Sequence, residues 1–556
     1  MPNRVASRGR AGRCDWSARP YNPAVQTDEF ATSRWWEGAV IYQIYPRSFA
    51  DSNGDGIGDL AGILAHLDHL AGTDASLGVD AIWLSPIYPS PLHDFGYDIA
   101  DYVGVAAEFG TLADLDRLVE ACHARDVKVI LDLVPCHTSI AHPWFAESRA
   151  SRDSPKRDWY IWADPGPAGG EPNNWISAFG GPSWEWDAAT EQYFLHTFYP
   201  EQPNLNWRNP DVVAAMHDVM RFWYERGIDG FRVDAIQAAV VDDQLRDNPP
   251  YQRPSAIPGL GARHGQELLW NIDRPETHDV IRGLRRVTDE YPGRVLIGEV
   301  YAPVERLAGY LGHGRDDEFH LAWNFEPLLT PWSTPDFALA IERAEALHPR
   351  DALPSYAFSN HDNPRHASRY GRNRARLVAL MLLTLRGVPT LYMGEEIGMV
   401  DHPSLPPGRT FDRAGRDAQR TPMQWDASPG AGFSTGTPWL PLADPAEANV
   451  ADQLRDPGSL LSLYRRLIAA RRDDEALARG EHRSIFGLAT DVLAWRRDTT
   501  GERLLILVNM GEQATEVDAS RVGESGEVLI GTGERRGRVG LADLRLDGLE
   551  GLVLRL

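Results

Sequence analysis

Eight short apolar runs, separated by stretches of helical periodicity, constrain this 556-residue chain more than any other feature. They are Val40–Pro46, Ala81–Pro86, Lys128–Val134, Gly230–Ala235, Val295–Val300, Glu318–Asn324, Ser355–Asn360 and Val388–Met393. Each reads as a buried strand. Alternating strand and helix implies a parallel sheet, and eight such units imply a closed (β/α)8 barrel. The segments between support this: over Leu112 to Arg125, the residues Leu115, Leu118, Val119 and Cys122 fall on one helical face. One connection is too long for a loop. Residues 137–209, rich in Pro, Gly and Trp, lie between the third strand and a helix expected near Asp211 to Arg226, and they predict an inserted subdomain. After a helical stretch at Leu460 to Arg472 the pattern changes to short β runs, among them Val492–Arg496, Leu504–Val508, Glu527–Ile530 and Leu552–Leu554. These predict a C-terminal antiparallel β-sandwich. The expected fold is therefore α/β: a TIM barrel over 33–136 and 210–472, an insertion at 137–209, a β-domain at 473–556 and a loose leader at 1–32.

Charge and cysteine content narrow the class. The formal charge of −23 disfavours nucleic acid and anionic membranes as partners and suits a neutral small substrate. The 18 tryptophans offer faces on which sugar rings can stack, although most tryptophans in any protein fill space. Cys14, Cys122 and Cys136 are odd in number and match no metal spacing, which points to a reduced, cytoplasmic protein without a disulfide framework. No apolar stretch approaches the ~20 residues of a membrane helix. The leader carries Arg4, Arg8, Arg10 and Arg13 with no apolar segment after them, unlike a signal peptide. Both a monomer and a homodimer are compatible with such a surface.

Four of the eight strands end in residues suited to sugar chemistry: Asp132-Leu-Val-Pro-Cys-His137, Gly230-Phe-Arg-Val-Asp-Ala235, Ile297-Gly-Glu-Val300 and Phe358-Ser-Asn-His-Asp362. In a parallel barrel the strand C-termini form the face that carries active sites. Arg232 and Asp234, two apart, share a strand face, where the guanidinium can hold the carboxylate ionised; alone, the pair could equally be a barrel salt bridge. A second feature follows the first strand. Asp51, Asn53, Asp55 and Asp59 alternate with small residues as in the first half of an EF-hand loop, but Gly62 stands where the twelfth-position glutamate would be. This spacing favours a structural Ca2+ or Mg2+ held by Asp51, Asn53, Asp55, the Ile57 carbonyl and Asp59.

From about Trp35 to the C-terminus the chain resembles the α-amylase family, glycoside hydrolase family 13, and within it the bacterial α-glucosidases and oligo-1,6-glucosidases. The resemblance rests on the four strand ends, on VIYQIYPRSFADSNGDGIGDL at residues 40–60, on Gln202-Pro-Asn-Leu-Asn-Trp207, with Asn204 where Asp is usual, and on Arg420-Thr-Pro-Met-Gln-Trp-Asp426. It implies Asp234 as nucleophile, Glu299 as general acid/base and Asp362 as the acid that grips sugar hydroxyls. It also implies that Asp98, His137, His361 and Arg420 bind the terminal glucose, with Phe179 and Phe198 walling it; for the two phenylalanines, insertion core is nearly as good an explanation. Cys136 stands where many α-amylases have a calcium-binding Asn, so that amylase-type site is expected to be absent. Ala235, after the nucleophile, leans toward α-1,4 rather than α-1,6 linkages. The expectation is a retaining, exo-acting α-glucosidase, able to transfer glucose as well as hydrolyse. The alternatives are an oligo-1,6-glucosidase, a trehalose-forming or sucrose-active enzyme, or, with less support, a carbohydrate-binding relative without catalysis.

Overall fold

The computed structural model describes residues 34–251, 262–263, 265–349, 352–406 and 408–556. The expected leader, residues 1–32 with Cys14, lies outside them. Eight strands form the barrel: β1 (Ile41–Ile44), β2 (Ala81–Leu84), β3 (Lys128–Leu133), β4 (Gly230–Val233), β5 (Val295–Gly298), β6 (Leu321–Asn324), β7 (Ser355–Ala357) and β8 (Val388–Tyr392). Each pairs in parallel with the next, and β8 pairs back onto β1.

The apolar runs are continuous because both strand faces are covered. Ile41, Trp83, Ile130, Ile297, Trp323 and Val388 pack together inside the barrel, while Tyr42, Ile82, Val129, Leu131 and Leu296 belong to the layer shared with the surrounding helices. Gly230 opens β4 because a Cβ there would collide with Val295 of β5. The outer helices start on side-chain caps. Thr111 and Asp114 make a reciprocal capping box on Leu112–His123, and Asn209 caps Pro210–Glu225, with proline in the first turn. The former helix buries Leu115, Leu118, Val119 and Cys122, the face expected from its periodicity.

Between β3 and β4 the insertion builds a three-stranded antiparallel sheet from Trp162–Ala163, Trp184–Asp187 and Gln192–Leu195. It returns to the barrel through Asn204, which bridges to His137, and through Trp207, whose indole N–H donates to the Pro135 carbonyl at 2.7 Å. The C-terminal part is a six-stranded antiparallel sheet with a separate two-stranded pair. One face of the larger sheet packs Leu505, Leu507, Leu552 and Leu554 against Val517, Leu544 and Leu546 of the pair. The other face, with Trp495, Ile506 and Val553, joins the apolar layer around the barrel. Among the described residues no helix is long and apolar enough to cross a membrane. Cys122 and Cys136 are buried, free thiols.

Candidate active site

Register alignment brings the charged residues of the strand ends together. Asp132 of β3 lies opposite Arg232 of β4, which lies opposite Ile297 of β5, two residues before Glu299. Arg232 is buried and bridges three carboxylates: its Nη1 donates to Asp132 Oδ1 at 2.8 Å and to Asp234 Oδ1 at 2.5 Å, and its Nη2 pairs with Glu299 Oε1 at 2.6 Å. Such bonds are charge-assisted and strong. After Asp234 the chain leaves extended geometry: Ala235 has φ 41° and ψ 33°, in the left-handed region, which costs a residue with a Cβ about 1–3 kcal/mol. That turn ends the strand at Val233, two residues sooner than its apolar run suggests. It also aims the Ala235 N–H at Glu299 Oε2, 3.0 Å away. Cys136 helps hold the turn, its thiol donating to the Ala235 carbonyl at 2.8 Å.

Asp362, beyond β7, completes the group. Arg416 and Arg420 donate to its Oδ1 at 3.0 and 3.1 Å, and His361 Nε2 lies 3.2 Å from its Oδ2. Gln43 of β1 and the Tyr97 hydroxyl hold the two nitrogens of His361, each at 2.8 Å. Three sequence-distant acids thus meet at the C-terminal end of the barrel.

Their environments separate their proton affinities. Burial pushes Asp234 up to about 7, with Arg232 opposing and Asp132 adding to the rise. Burial likewise pushes Glu299 up to about 8, Arg232 again opposing while Asp234 and Asp362 add. Burial would also raise Asp362, but His361, Arg416, Arg420 and Arg232 outweigh it and hold its carboxyl well below the usual range. Burial lowers His361 to about 3 and His137 to about 4, so both rings are neutral hydrogen-bonding groups near pH 7. One cation facing several buried carboxylates favours a shared proton, titrated by the group as a whole. Chemistry that needs Asp234 ionised and Glu299 protonated should give a bell-shaped kcat/KM profile. The rate falls as pH drops through about 7, when the group takes up the proton that neutralises the nucleophile, and as pH rises through about 8, when it loses the proton the leaving oxygen needs. Initial rates across pH 5–10 test this; a flat profile above pH 8 contradicts the assignment of Glu299.

The acids open onto a cavity of about 410 Å³. His137, Phe179 and Phe198 line it, and Phe179 also stacks on Tyr199 with ring centroids 4.2 Å apart. Asp98 requires a correction. Its carboxylate is buried and turned onto its own loop, accepting from Ser90 Oγ, His93 N and Asp94 N. The cavity wall is formed by Asp94 instead. Asp94 pairs with Arg416 at 2.5 Å and accepts from Gln202 at 2.9 Å. Arg416 lines the cavity as well, whereas Arg420 is wholly buried behind it, donating to the His361 carbonyl and to Asp362. Arg232 lies beneath the carboxylates and acts on them. The sequence reading missed Asp94, Arg416, Tyr97 and Tyr301. The Tyr97 hydroxyl meets Asp132 and His361, the Tyr301 hydroxyl accepts from Asn363, and Asp94 pairs with Arg416, contacts that are visible only after folding.

The profile "Alpha amylase, catalytic domain" matches residues 43–480. The chain belongs to the α-amylase family of glycoside hydrolases. It is 44% identical over 502 residues, 86% of this chain and 90% of the other, to a protein of Rhizobium meliloti (strain 1021) named a probable α-glucosidase. It is 37% identical over 525 residues, 86% of this chain and 91% of the other, to an oligo-1,6-glucosidase of Parageobacillus thermoglucosidasius. Among solved structures, the α-glucosyl transfer enzyme XgtA superposes with a TM-score of 0.85 at 40% identity, over 94% of this chain and 99% of that one.

In this family member the Asp51–Asp59 loop satisfies itself with hydrogen bonds. Asp51 accepts from the N–H groups of Asn53, Gly54 and Gly56 and from Ser434 Oγ. Asn53 and Asp55 each accept from the N–H two residues on. Asp59 caps the helix Leu60–Ala65 through Gly62 N and accepts from Ser52. Among the described residues no three His, Cys, Asp or Glu side chains gather in a metal-binding arrangement. Asn204, where Asp is usual, accepts from Thr197 N at 2.7 Å and donates to Thr197 Oγ1 at 3.0 Å. The amide supplies both an acceptor and a donor there, which a carboxylate could not.

Proposed function

We propose that this enzyme is a retaining, exo-acting α-glucosidase that releases glucose from the non-reducing end of short oligosaccharides, with α-1,4 linkages preferred. The observation that carries this reading is the single guanidinium of Arg232 spanning Asp234 and Glu299 at the mouth of the barrel. So short a bridge favours the separation of about 5–5.5 Å used by retaining glycosidases over the wider gap of inverting ones. Arg232 holds Oδ1 of Asp234, which leaves Oδ2 to attack the anomeric carbon. Glu299 gives its proton to the departing glycosidic oxygen as that bond breaks. It then takes a proton from water, which attacks the glucosyl ester and releases Asp234. Asp362, kept ionised by two arginines, grips ring hydroxyls and stabilises positive charge on the ring. The exo mode is supported by the ion pairs of Arg416 with Asp94 and Asp362, three residues that line the cavity and give it a charged wall suited to the hydroxyls of a terminal sugar.

The linkage preference rests on Ala235, the cavity residue after the nucleophile, whose small side chain leaves room beside the scissile bond. Rates on maltose, isomaltose, sucrose and trehalose test it. The kcat/KM for maltose should exceed that for isomaltose by about tenfold, the scale of one methyl-sized difference in a pocket; a clear preference for isomaltose reverses the assignment. Transfer of the glucosyl group to a second sugar is the further activity to measure, favoured by the likeness to an α-glucosyl transfer enzyme.

We also propose that the Asp51–Asp59 loop accepts a structural Ca2+ or Mg2+ through Asp51, Asn53, Asp55, Asp59 and the Ile57 carbonyl, exchanging some of its N–H bonds for the ion. EDTA should then lower Tm by a few degrees and leave kcat of the folded enzyme unchanged; an unaltered Tm means that the hydrogen bonds suffice. Two buried free thiols support a reduced, cytoplasmic setting for such an enzyme.

A further inference from the structure

The loop that carries Asp94 is held in an unfavourable conformation. Leu92 has φ 66° and Phe95 has φ 46°, and Gly96 follows at φ 109°. Leucine and phenylalanine rarely occupy that region unless the surroundings impose it. Two sets of contacts do so. Phe95 packs against Trp439 and Phe411, with ring centroids 5.6 and 6.5 Å away. On the other side stands Asp98, wholly buried. Its Oδ1 accepts from Ser90 Oγ at 2.7 Å and from Asp94 N at 3.0 Å, and its Oδ2 accepts from His93 N at 3.0 Å. Ser90 Oγ in turn accepts from Leu92 N at 3.0 Å. Three consecutive backbone N–H groups, of residues 92, 93 and 94, are thus tied directly or through one hydroxyl to a single carboxylate.

We infer that Asp98 is a positioning residue for the glucose-binding wall: it fixes the strained loop so that Asp94 meets Arg416 and Gln202 at the cavity, and its contribution to substrate binding passes through Asp94. This deepens the proposed glucosidase reading and rests on it, since it takes Asp94 as a group that grips the terminal glucose. All three partners of Asp98 are donors. Asparagine would turn an N–H2 toward N–H or O–H donors, so Asp98→Asn breaks the anchor with almost no change in volume. Because the carboxylate does not line the cavity, a role in chemistry is excluded, and the effect should appear in binding of the glucose unit.

The experiment is a double-mutant cycle on the full-length enzyme. KM, kcat and the inhibition constant of glucose are measured for wild type, Asp98→Asn, Asp94→Ala and the double variant, with Ser90→Ala as a milder cut in the same anchor. Asp98→Asn should raise KM and the glucose inhibition constant about tenfold and keep kcat within about twofold. Ser90→Ala should raise the same two constants about threefold. In the Asp94→Ala background, Asp98→Asn should add less than about twofold, because the group it positions is gone. Full multiplication of the two effects overturns the inference, as does a fall in kcat with both binding constants unchanged. If Asp98→Asn does not fold, Ser90→Ala on the two backgrounds decides in the same way. If Asp94→Ala itself leaves both binding constants unchanged, the reading of Asp94 as a glucose-gripping group is what fails.

Discussion

Asp234→Ala is expected to lower kcat/KM on p-nitrophenyl α-glucoside by about 10⁴-fold or more, the scale seen when a covalent nucleophile is removed. The structure offers no substitute. Asp362 is engaged on both oxygens, Oδ1 by Arg416 and Arg420 and Oδ2 by His361 Nε2, and Glu299 is the group that must carry the proton. The loss should be chemical, not conformational. Arg232 keeps Asp132 and Glu299 as partners when Asp234 is gone, so its charge remains paired. Tm should therefore change little, and glucose should still bind. A small anionic nucleophile gives a sharper test. Azide can enter the space left by the carboxylate, attack from the same face and yield β-glucosyl azide, the inverted product. Azide rescue of an acid/base variant would instead occur on the glucosyl-enzyme and yield the α-azide. Turnover that survives Asp234→Ala essentially intact, or α-azide from it, would remove Asp234 as nucleophile.

The barrel and the charged strand ends were legible because both depend on local signals, and the family resemblance picked the three acids out of those ends. A strand buried on both faces is an uninterrupted apolar run, and a charged residue at its C-terminal end has only the barrel mouth to occupy. The cavity wall was not legible in the same way. Asp94 and Asp98 lie in one aperiodic loop, four residues apart, and which carboxylate meets the cavity is set by the positive φ values at Leu92 and Phe95. No residue-type preference announces those angles, since glycine is the usual marker and only Gly96 is present. Arg416 and Arg420 pose the same difficulty. Arg416 precedes and Arg420 ends a single 3-10 turn, Asp417–Arg420, and both reach Asp362, but only Arg416 faces the cavity. Phe179 was ambiguous for a different reason: an aromatic in an insertion serves equally as core or as wall, and its exposure decides, at 36%. Cys136, expected only to mark the absence of an amylase-type calcium site, reaches the backbone beside Asp234 with its thiol.

Arg232 is the residue on which both stability and catalysis converge, and Arg232→Met should separate the two by pH. Methionine matches its length and flexibility but carries no charge. The guanidinium is 1% exposed, bonded to three carboxylates, and its central carbon lies 5.2, 5.6 and 5.7 Å from the ring centroids of Trp83, Tyr97 and Trp323. Removing it strands Asp132, Asp234 and Glu299 without a cation, and breaking a buried pair in this way costs about 3–5 kcal/mol. The carboxyls can escape much of that cost by taking up protons, so their pKa values in the folded state rise further. Groups with raised folded-state values stabilise the fold while protonated and lose that contribution as pH climbs through the folded value. The Tm deficit of Arg232→Met should accordingly be small at pH 5 and grow through pH 7 and 8, the range in which Asp234 and Glu299 already titrate in the wild type. Activity should be lost throughout, since Asp234 is then protonated wherever the fold is secure. Arg232→Lys returns a charge but not a planar fork, so it should recover part of the alkaline stability and little of the rate. A Tm deficit that does not vary with pH would mean that Arg232 stabilises the barrel by packing alone, and the electrostatic basis for ionising Asp234 would go with it.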